Sequence, residues 1–242
     1  MTDPQSAAAS WLSQVEESTR RVLGTAAELK PDAVAEPSAL PGWTRGHVLA
    51  HLARNADSLV NLLTGARTGT DIPQYADHEA RDRDIERDAP RPPDVQLADL
   101  RDSHARFAEA AALMDPEAWA ASVKHRFGYV FPASEIPHKR LLELEYHHVD
   151  LAAGYTPADW PESFAVAEFR KLASNLAGQA DLPAVELVAE DTGDRAAIGD
   201  GAPALTVEGP VRALTAWLSG RSTGDDLRHA PGTDLPRLPP MG

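Results

Sequence analysis

The chain has 242 residues and a formal net charge of −14, from 23 basic and 37 acidic side chains. This charge argues against nucleic acid or an anionic membrane surface as a partner, because both repel an acidic protein. Residues 1–10 lack the apolar core of a signal peptide and no apolar run reaches membrane length, so we expect a globular cytoplasmic protein.

The sequence contains no cysteine. The chain therefore forms no disulfide and offers no thiolate ligand, so any metal must be held by His, Asp or Glu. Any thiol chemistry would need a small thiol from outside the chain.

Apolar residues at helical spacing predict four main helices in the first 155 residues. We place them at residues 7–29, 44–65, 94–114 and 141–154. Thr44 suits the N-cap of the second helix and Gly65 suits its stop. A short exposed helix is expected within the charged segment that follows, over 76–88, and a weak hairpin over 123–131. Four antiparallel helices of this length form a bundle.

After residue 155 the pattern changes. Prolines mark a break, and a fifth helix follows over residues 161–179. Short β segments are expected at 185–189, 195–198 and 204–208, before a last helix over 210–220 and a proline-rich tail. The chain is thus predicted to be α+β: a helical bundle domain over 1–155 and a small α+β domain with an antiparallel sheet over 156–242.

The fourth predicted helix carries a cluster that could bind a divalent metal, consisting of Arg140, Glu143, Glu145, His147, His148 and Asp150. Glu143 and His147 are four residues apart, whereas Glu145 and His148 are three apart, and both spacings place a carboxylate and an imidazole on one face. Periodicity mildly favours Glu145 and His148 as the buried pair. A solvated face with salt bridges to Arg140 is also compatible with the pattern.

A third ligand would have to come from another helix. His51 lies at the flank of the apolar stripe of the second helix, where bundle helices meet, whereas His47 lies nearly opposite that stripe. A partly buried His51 bonded to a backbone carbonyl is an ordinary alternative. The residues alone therefore leave open whether a metal site exists and which carboxylate–imidazole pair it uses.

Two stretches resemble the mycothiol-dependent maleylpyruvate isomerases, which are members of the DinB-like metal-binding bundle superfamily. The first stretch is Gly42-Trp43-Thr44-Arg45-Gly46-His47-Val48-Leu49-Ala50-His51-Leu52, and the second is Arg140-x-x-Glu143-x-x-x-His147-x-x-Asp150-Leu151. A late motif, Gly209-x-x-x-x-Leu214-x-x-Trp217-Leu218-x-Gly220-Arg221, also fits, so the resemblance covers nearly the whole chain. It implies His51, Glu143 and His147 as metal ligands and zinc as the ion.

The resemblance also implies a reaction. A metal with three protein ligands and an open fourth position lowers the pKa of a bound thiol, and the family's thiol is mycothiol. Its thiolate would add to the cis double bond of maleylpyruvate. The resulting single bond rotates, and loss of the thiol gives fumarylpyruvate.

Four further residues are given expected roles. Arg221 is expected to clamp the carboxylates of the dianionic substrate, with an ordinary role at a helix C-terminus as the alternative. Asp150 is expected to orient a ligand histidine, unless it pairs with Arg140 instead. Tyr75 is expected to line the cofactor or substrate cleft, and Trp43 to pack in the core.

Other functions could use the same residues. A thiol S-transferase would conjugate mycothiol or another small thiol to an electrophile without eliminating it. A zinc hydrolase would use metal-bound hydroxide and need no thiol. A binding or regulatory protein would keep the bundle and the metal site without catalysis.

Overall fold

The computed structural model describes residues 4–77 and 79–239. The chain forms two compact units, Met1–Tyr155 and Thr156–Gly242. The first unit is dominated by helices and the second combines a small sheet with two helices, which confirms the predicted α+β class.

Over its described residues, 4–77 and 79–155, the first unit contains six α-helices, of which four are long. They are α1 (Pro4–Ala27), α2 (Arg45–Thr68), α3 (Ala80–Asp88), α4 (Pro93–Ala112), α5 (Pro116–Ala120) and α6 (Ile136–Asp150). Helices α1 and α2 each pack against both α4 and α6, which makes the expected four-helix bundle. Apolar side chains line its interior, among them Val15, Val22, Leu52, Leu59, Leu100, Phe107, Leu141 and Leu144. In the ranges that the structure describes, no helix has the length and apolar character needed to cross a bilayer.

A hairpin precedes the cluster-bearing helix α6. Its strands are β1 (Ser122–Lys124) and β2 (Val130–Pro132), which pair antiparallel with Ser122 opposite Pro132. The buried side chains Val123 and Phe131 face each other across the pair, while the residues on either side of them are exposed. The alternation of buried and exposed residues explains the weak strand signal in the sequence.

Helix α2 begins where the sequence predicts but ends later. Thr44 is its N-cap, with the reciprocal Thr44–His47 bonds of a capping box. The predicted stop at Gly65 is wrong, because the helix continues to Thr68 and Gly69 adopts the left-handed conformation, with φ of 67°. Gly65 is needed for a different reason: a Cβ there would lie 2.7 Å from the carbonyl oxygen of Thr70, so the following loop could not pack against the helix.

Helix α3 is shorter and better anchored than the exposed helix predicted over 76–88. Ile85 and Asp88 are each only 1% exposed. Asp88 accepts from Arg54 at 3.1 Å, from Arg87 at 2.8 Å and from Arg91 at 2.6 Å. A buried carboxylate needs such partners, and here they fix α3 beside α2.

The second unit consists of α7 (Glu162–Leu176), β3 (Pro183–Ala189), β4 (Arg195–Ile198), β5 (Asp200–Gly209) and α8 (Val211–Leu218). The strand order is β4-β3-β5. Helices α7 and α8 pack on each other and on the sheet over an apolar core that includes Phe169, Val185, Leu187, Val207, Leu214 and Trp217.

The sheet is mixed, so the prediction of an antiparallel sheet is correct for only one of its two pairings. Strand β4 runs antiparallel to β3, but β5 runs parallel to it, with Leu187 opposite Val207. Between β4 and β5 the chain must therefore reverse direction and cross from one edge of β3 to the other, next to the start of β3. Gly199 makes this crossing with φ of 74°, and a Cβ there would lie 2.3 Å from the carbonyl oxygen of Pro183. Alternation along each strand cannot report this crossing, because it is the same in both pairings.

Candidate metal centre

Helices α2 and α6 bring His51, Glu143 and His147 together. His51 Nε2 lies 2.8 Å from Glu143 Oε2, and the same oxygen lies 3.3 Å from His147 Nε2. One donor atom from each residue lies within 4.8 Å of the other two. No other set of three His, Cys, Asp or Glu donors is so close in the ranges 4–77 and 79–239.

The donor set fits a divalent metal. Two imidazole nitrogens and one carboxylate oxygen form a combination typical of zinc sites that keep a fourth position open. With metal–ligand distances of about 2.0 Å, the ligand atoms of a tetrahedral site are about 3.3 Å apart. The observed separations of 2.8 and 3.3 Å lie close to that value. The side chains could therefore close around an ion with small rotations.

Asp150 fixes the orientation of His147. Its Oδ2 lies 2.9 Å from Nδ1 of His147, and Asp150 is only 2% exposed. With Nδ1–H donated to this carboxylate, Nε2 is the ring nitrogen that remains to bind a metal. Burial lowers the pKa of His147, but the bonds to Asp150 and Glu143 outweigh it and raise the pKa above its usual value.

His51 and Glu143 differ in charge. Burial lowers the pKa of His51 to about 4, with His147 and Arg81 adding to the shift and Glu143 opposing it. His51 is therefore neutral at pH 7, the form that binds a metal. Burial alone would raise the pKa of Glu143, yet the two histidines hold it well below its usual value. Glu143 thus supplies an anionic oxygen between two imidazoles.

The other candidate pair, Glu145 and His148, points to a different helix. Glu145 is fully buried and accepts from Ser18 at 2.6 Å, from Arg21 at 2.7 Å and from Tyr155 at 2.6 Å. His148 Nε2 lies 2.7 Å from Thr25 Oγ1. These contacts tie α6 to α1. Periodicity correctly indicated that this pair is buried, but no third ligand converges on it within the described part of the chain.

Arg140 is buried as well, at 1% exposure. Its Nη1 donates to the carbonyl oxygen of Leu52 at 2.8 Å and to Oδ1 of Asn55 at 2.9 Å. Burial lowers its pKa to about 10, so the guanidinium stays charged at pH 7. Arg140 thereby ties α6 to α2 one helical turn before Glu143. The alternative of a solvated helix face with salt bridges to Arg140 is therefore not what the structure shows.

Two neighbours of His51 were not recognised correctly from the sequence. Trp43 is partly exposed rather than packed in the core, and its ring centroid lies 5.6 Å from that of His51. Arg81, on α3, places Nη2 3.3 Å from Nδ1 of His51 and its guanidinium carbon 5.7 Å from the Trp43 ring centre. Nothing in the local sequence marks Arg81, because it is one of several arginines in a charged segment.

Tyr75 and Arg221 lie in different units. Tyr75 is half-buried in the loop after α2 and lines a cavity of about 360 Å³ together with Lys124, His125 and Arg126. Arg221 follows α8 in the second unit. Its backbone N–H donates to the carbonyl of Ala216 at 2.8 Å, and its Nη1 donates to that of Ser219 at 3.0 Å. These bonds belong to a Schellman-type helix end, and the carboxylate clamp stays a prediction.

The chain matches known proteins in sequence and in fold. Residues 15–152 match the family model described as the mycothiol maleylpyruvate isomerase N-terminal domain. A crystal structure of the mycothiol-dependent maleylpyruvate isomerase has 28% sequence identity and a TM-score of 0.87, with 100% of both chains covered. A crystal structure of a histidine-to-alanine mutant of the mycothiol-dependent maleylpyruvate isomerase has 28% identity and a TM-score of 0.86, again covering 100% of both chains. No curated protein matches the sequence. Since the family model spans more than half of the chain, the protein belongs to the mycothiol maleylpyruvate isomerase N-terminal domain family.

Proposed function

We propose that this protein is a metal- and thiol-dependent enzyme that isomerises maleylpyruvate to fumarylpyruvate with mycothiol as cosubstrate. The observation that carries the proposal is the convergence of His51, Glu143 and His147, whose donor atoms lie within 4.8 Å of one another. The similar solved structure, which covers the whole chain, bears the name of that activity.

In this proposal His51, Glu143 and His147 hold a divalent ion, and the donor set favours zinc. When bound with an open position, such an ion stabilises the thiolate of a small thiol at neutral pH. The chain has no cysteine, so the thiol must be a cosubstrate.

Neighbouring residues and burial set the protonation states of the three candidate ligands in the metal-free protein. Asp150 holds the proton on Nδ1 of His147, which leaves Nε2 free to bind. Burial keeps His51 neutral, because its pKa is lowered to about 4. The Glu143 carboxylate is ionised and supplies the single negative charge among the three ligands. At pH 7, therefore, neither His51 nor Glu143 has to lose a proton before it binds a metal.

Arg221 and Tyr75 complete the proposal. A guanidinium binds a carboxylate in a bidentate manner, so Arg221 is assigned to one carboxylate of the dianionic substrate. Tyr75 is assigned to the wall of the substrate or thiol cleft, consistent with its place in the cavity beside Lys124 and Arg126.

The test begins with the metal content of the purified protein. We expect about one zinc ion per chain and conversion of maleylpyruvate to fumarylpyruvate only when mycothiol is present. His51→Ala and His147→Ala should each lose both the metal and the thiol-dependent turnover. His47→Ala is the matched control, because His47 lies on the same helix and its Nδ1 bonds to Thr44 instead.

Each competing function predicts a distinct result. Accumulation of a thiol adduct without release of free thiol would assign the protein to the S-transferases. Hydrolytic turnover without added thiol would indicate a zinc hydrolase. A protein that binds zinc but shows no isomerase, transferase or hydrolase turnover would be a binding or regulatory member of the family.

A further inference from the structure

Three cationic side chains at the β1–β2 hairpin and the start of α6 lack an acidic partner. Among the residues that the structure describes, no carboxylate oxygen lies within 4.0 Å of the charged nitrogens of Lys124, Arg126 or Lys139. The Arg126 guanidinium carbon instead lies 4.3 Å from the Phe127 ring centre, and Lys139 Nζ lies 4.4 Å from that of Phe131. In a chain with a net charge of −14, three neighbouring cations without counter-charges indicate a site for an anion.

Two of these cations line a cavity. Lys124 and Arg126 line the cavity of about 360 Å³ that also contains Tyr75 and His125. Gln74 joins the hairpin to the loop after α2, because its Oε1 accepts from the backbone N–H of Arg126 at 2.7 Å. The anionic side chains in the wall are few: Asp77 is paired with Arg83 at 2.8 Å, which leaves the exposed Asp71.

The cavity lies within electrostatic reach of Glu143. Lys139 precedes Glu143 by one helical turn on the same face of α6. Burial raises the pKa of Tyr75, Glu143 adds to the rise, and Arg81 and Arg126 oppose it. Burial lowers the pKa of His125, and Lys139 and Arg126 lower it further while Glu143 opposes them. Glu143 and Arg126 therefore both act on the pKa values of Tyr75 and His125.

We propose that Lys124, Arg126 and Lys139 form an anion site that holds a carboxylate of a small dicarboxylate electrophile beside the candidate metal centre. Arginine offers a bidentate fork to a carboxylate, and the two lysines add point charges. This inference rests on the proposed function and deepens it. It adds cations of the first unit to substrate recognition, for which the sequence had indicated only one cation, Arg221 of the second unit.

The test is a calorimetric titration with maleate, an unreactive cis dicarboxylate, against the zinc-loaded and the metal-free protein. Arg126→Met, Lys124→Met and Lys139→Met should each weaken maleate binding by about tenfold, the factor expected for one charge-assisted hydrogen bond. Lys171→Met is the matched control, since Lys171 is an exposed lysine of α7 in the second unit, and it should bind maleate like the wild type. Circular dichroism melts check that each variant is folded.

The result that overturns the proposal is maleate affinity that is unchanged in all three variants, or reduced equally in Lys171→Met. A maleate affinity that falls only in Arg221→Met would move the whole anion site to the second unit. Zinc affinity should be unaltered in Lys124→Met, Arg126→Met and Lys139→Met, so the experiment separates this site from the metal centre. If the isomerase activity itself is absent, the loss of maleate binding still reports on the anion site.

Discussion

Replacing Asp150 with Asn tests the metal centre without removing a ligand. The Asp150 carboxylate lies 2.9 Å from Nδ1 of His147 and is 2% exposed, so the bond is shielded from water. An amide oxygen can still accept this hydrogen bond, but without the negative charge that makes the imidazole a stronger ligand. Loss of such an outer partner costs 10- to 100-fold in metal affinity, and because the bond is weakened rather than lost we expect about tenfold, or about 1.4 kcal/mol.

The assay is competition for zinc with a chromophoric chelator at pH 7.5, with thiol-dependent turnover measured on the zinc-saturated protein. Asp150→Ala should weaken zinc binding by about a hundredfold, because it removes the acceptor altogether. Glu145→Gln is the control: Glu145 lies on the same helix and is equally buried, but it bonds to Ser18 and Arg21 of α1 and to Tyr155 instead of His147. Zinc affinity that is the same in Asp150→Asn, Asp150→Ala and wild type would refute the assigned role of Asp150.

Three further predictions follow from other contacts. Glu145→Gln should lower the free energy of unfolding by about 2–3 kcal/mol in denaturant titrations, because a fully buried carboxylate with three donors loses its charge; an unaltered midpoint would contradict this. In the metal-free protein, His51 contributes stability that is complete above pH 6.5 and falls towards pH 4, since its pKa drops from 6.5 to about 4 on folding. This contribution is about 3 kcal/mol, and urea titrations should show a shallower acid slope for His51→Gln, an equal slope being the adverse result. Arg221→Ala should raise the KM for maleylpyruvate about tenfold with full metal content, and loss of the metal would count against its role.

The bundle could be predicted from the sequence because its signals are local. Helical spacing of apolar residues identified four long helices, and Thr44 correctly marked the start of α2. The errors occurred where the packing of one segment against another decides the outcome. Gly65 was predicted to end α2, but its lack of a side chain instead lets the carbonyl group of Thr70 pack against the helix. In the second unit, the direction of β5 depends on the crossing at Gly199, which no periodicity records.

For the metal site, residue chemistry limited the candidate ligands on α6 to two carboxylate–imidazole pairs, but it could not decide which pair binds. The helical periodicity of α6 placed Glu145 and His148 on the buried side, and both are in fact buried. Their burial is against α1, where Ser18 and Thr25 bind them. Only the packing of α2 on the opposite side of α6 brings His51 to within 2.8 Å of Glu143.

The sequence by itself determined the donor types, the absence of a cysteine and the helices that carry the histidines. These follow from composition and from spacing along one helix, which are properties of neighbouring residues. The tertiary structure decided which carboxylate meets His51, placed Arg81 beside it, and put Lys124 and Arg126 of the hairpin in the wall of one cavity. Such contacts depend on how helices distant in the chain pack together. Interhelical contacts, unlike helical periodicity, are fixed only when the whole core is formed.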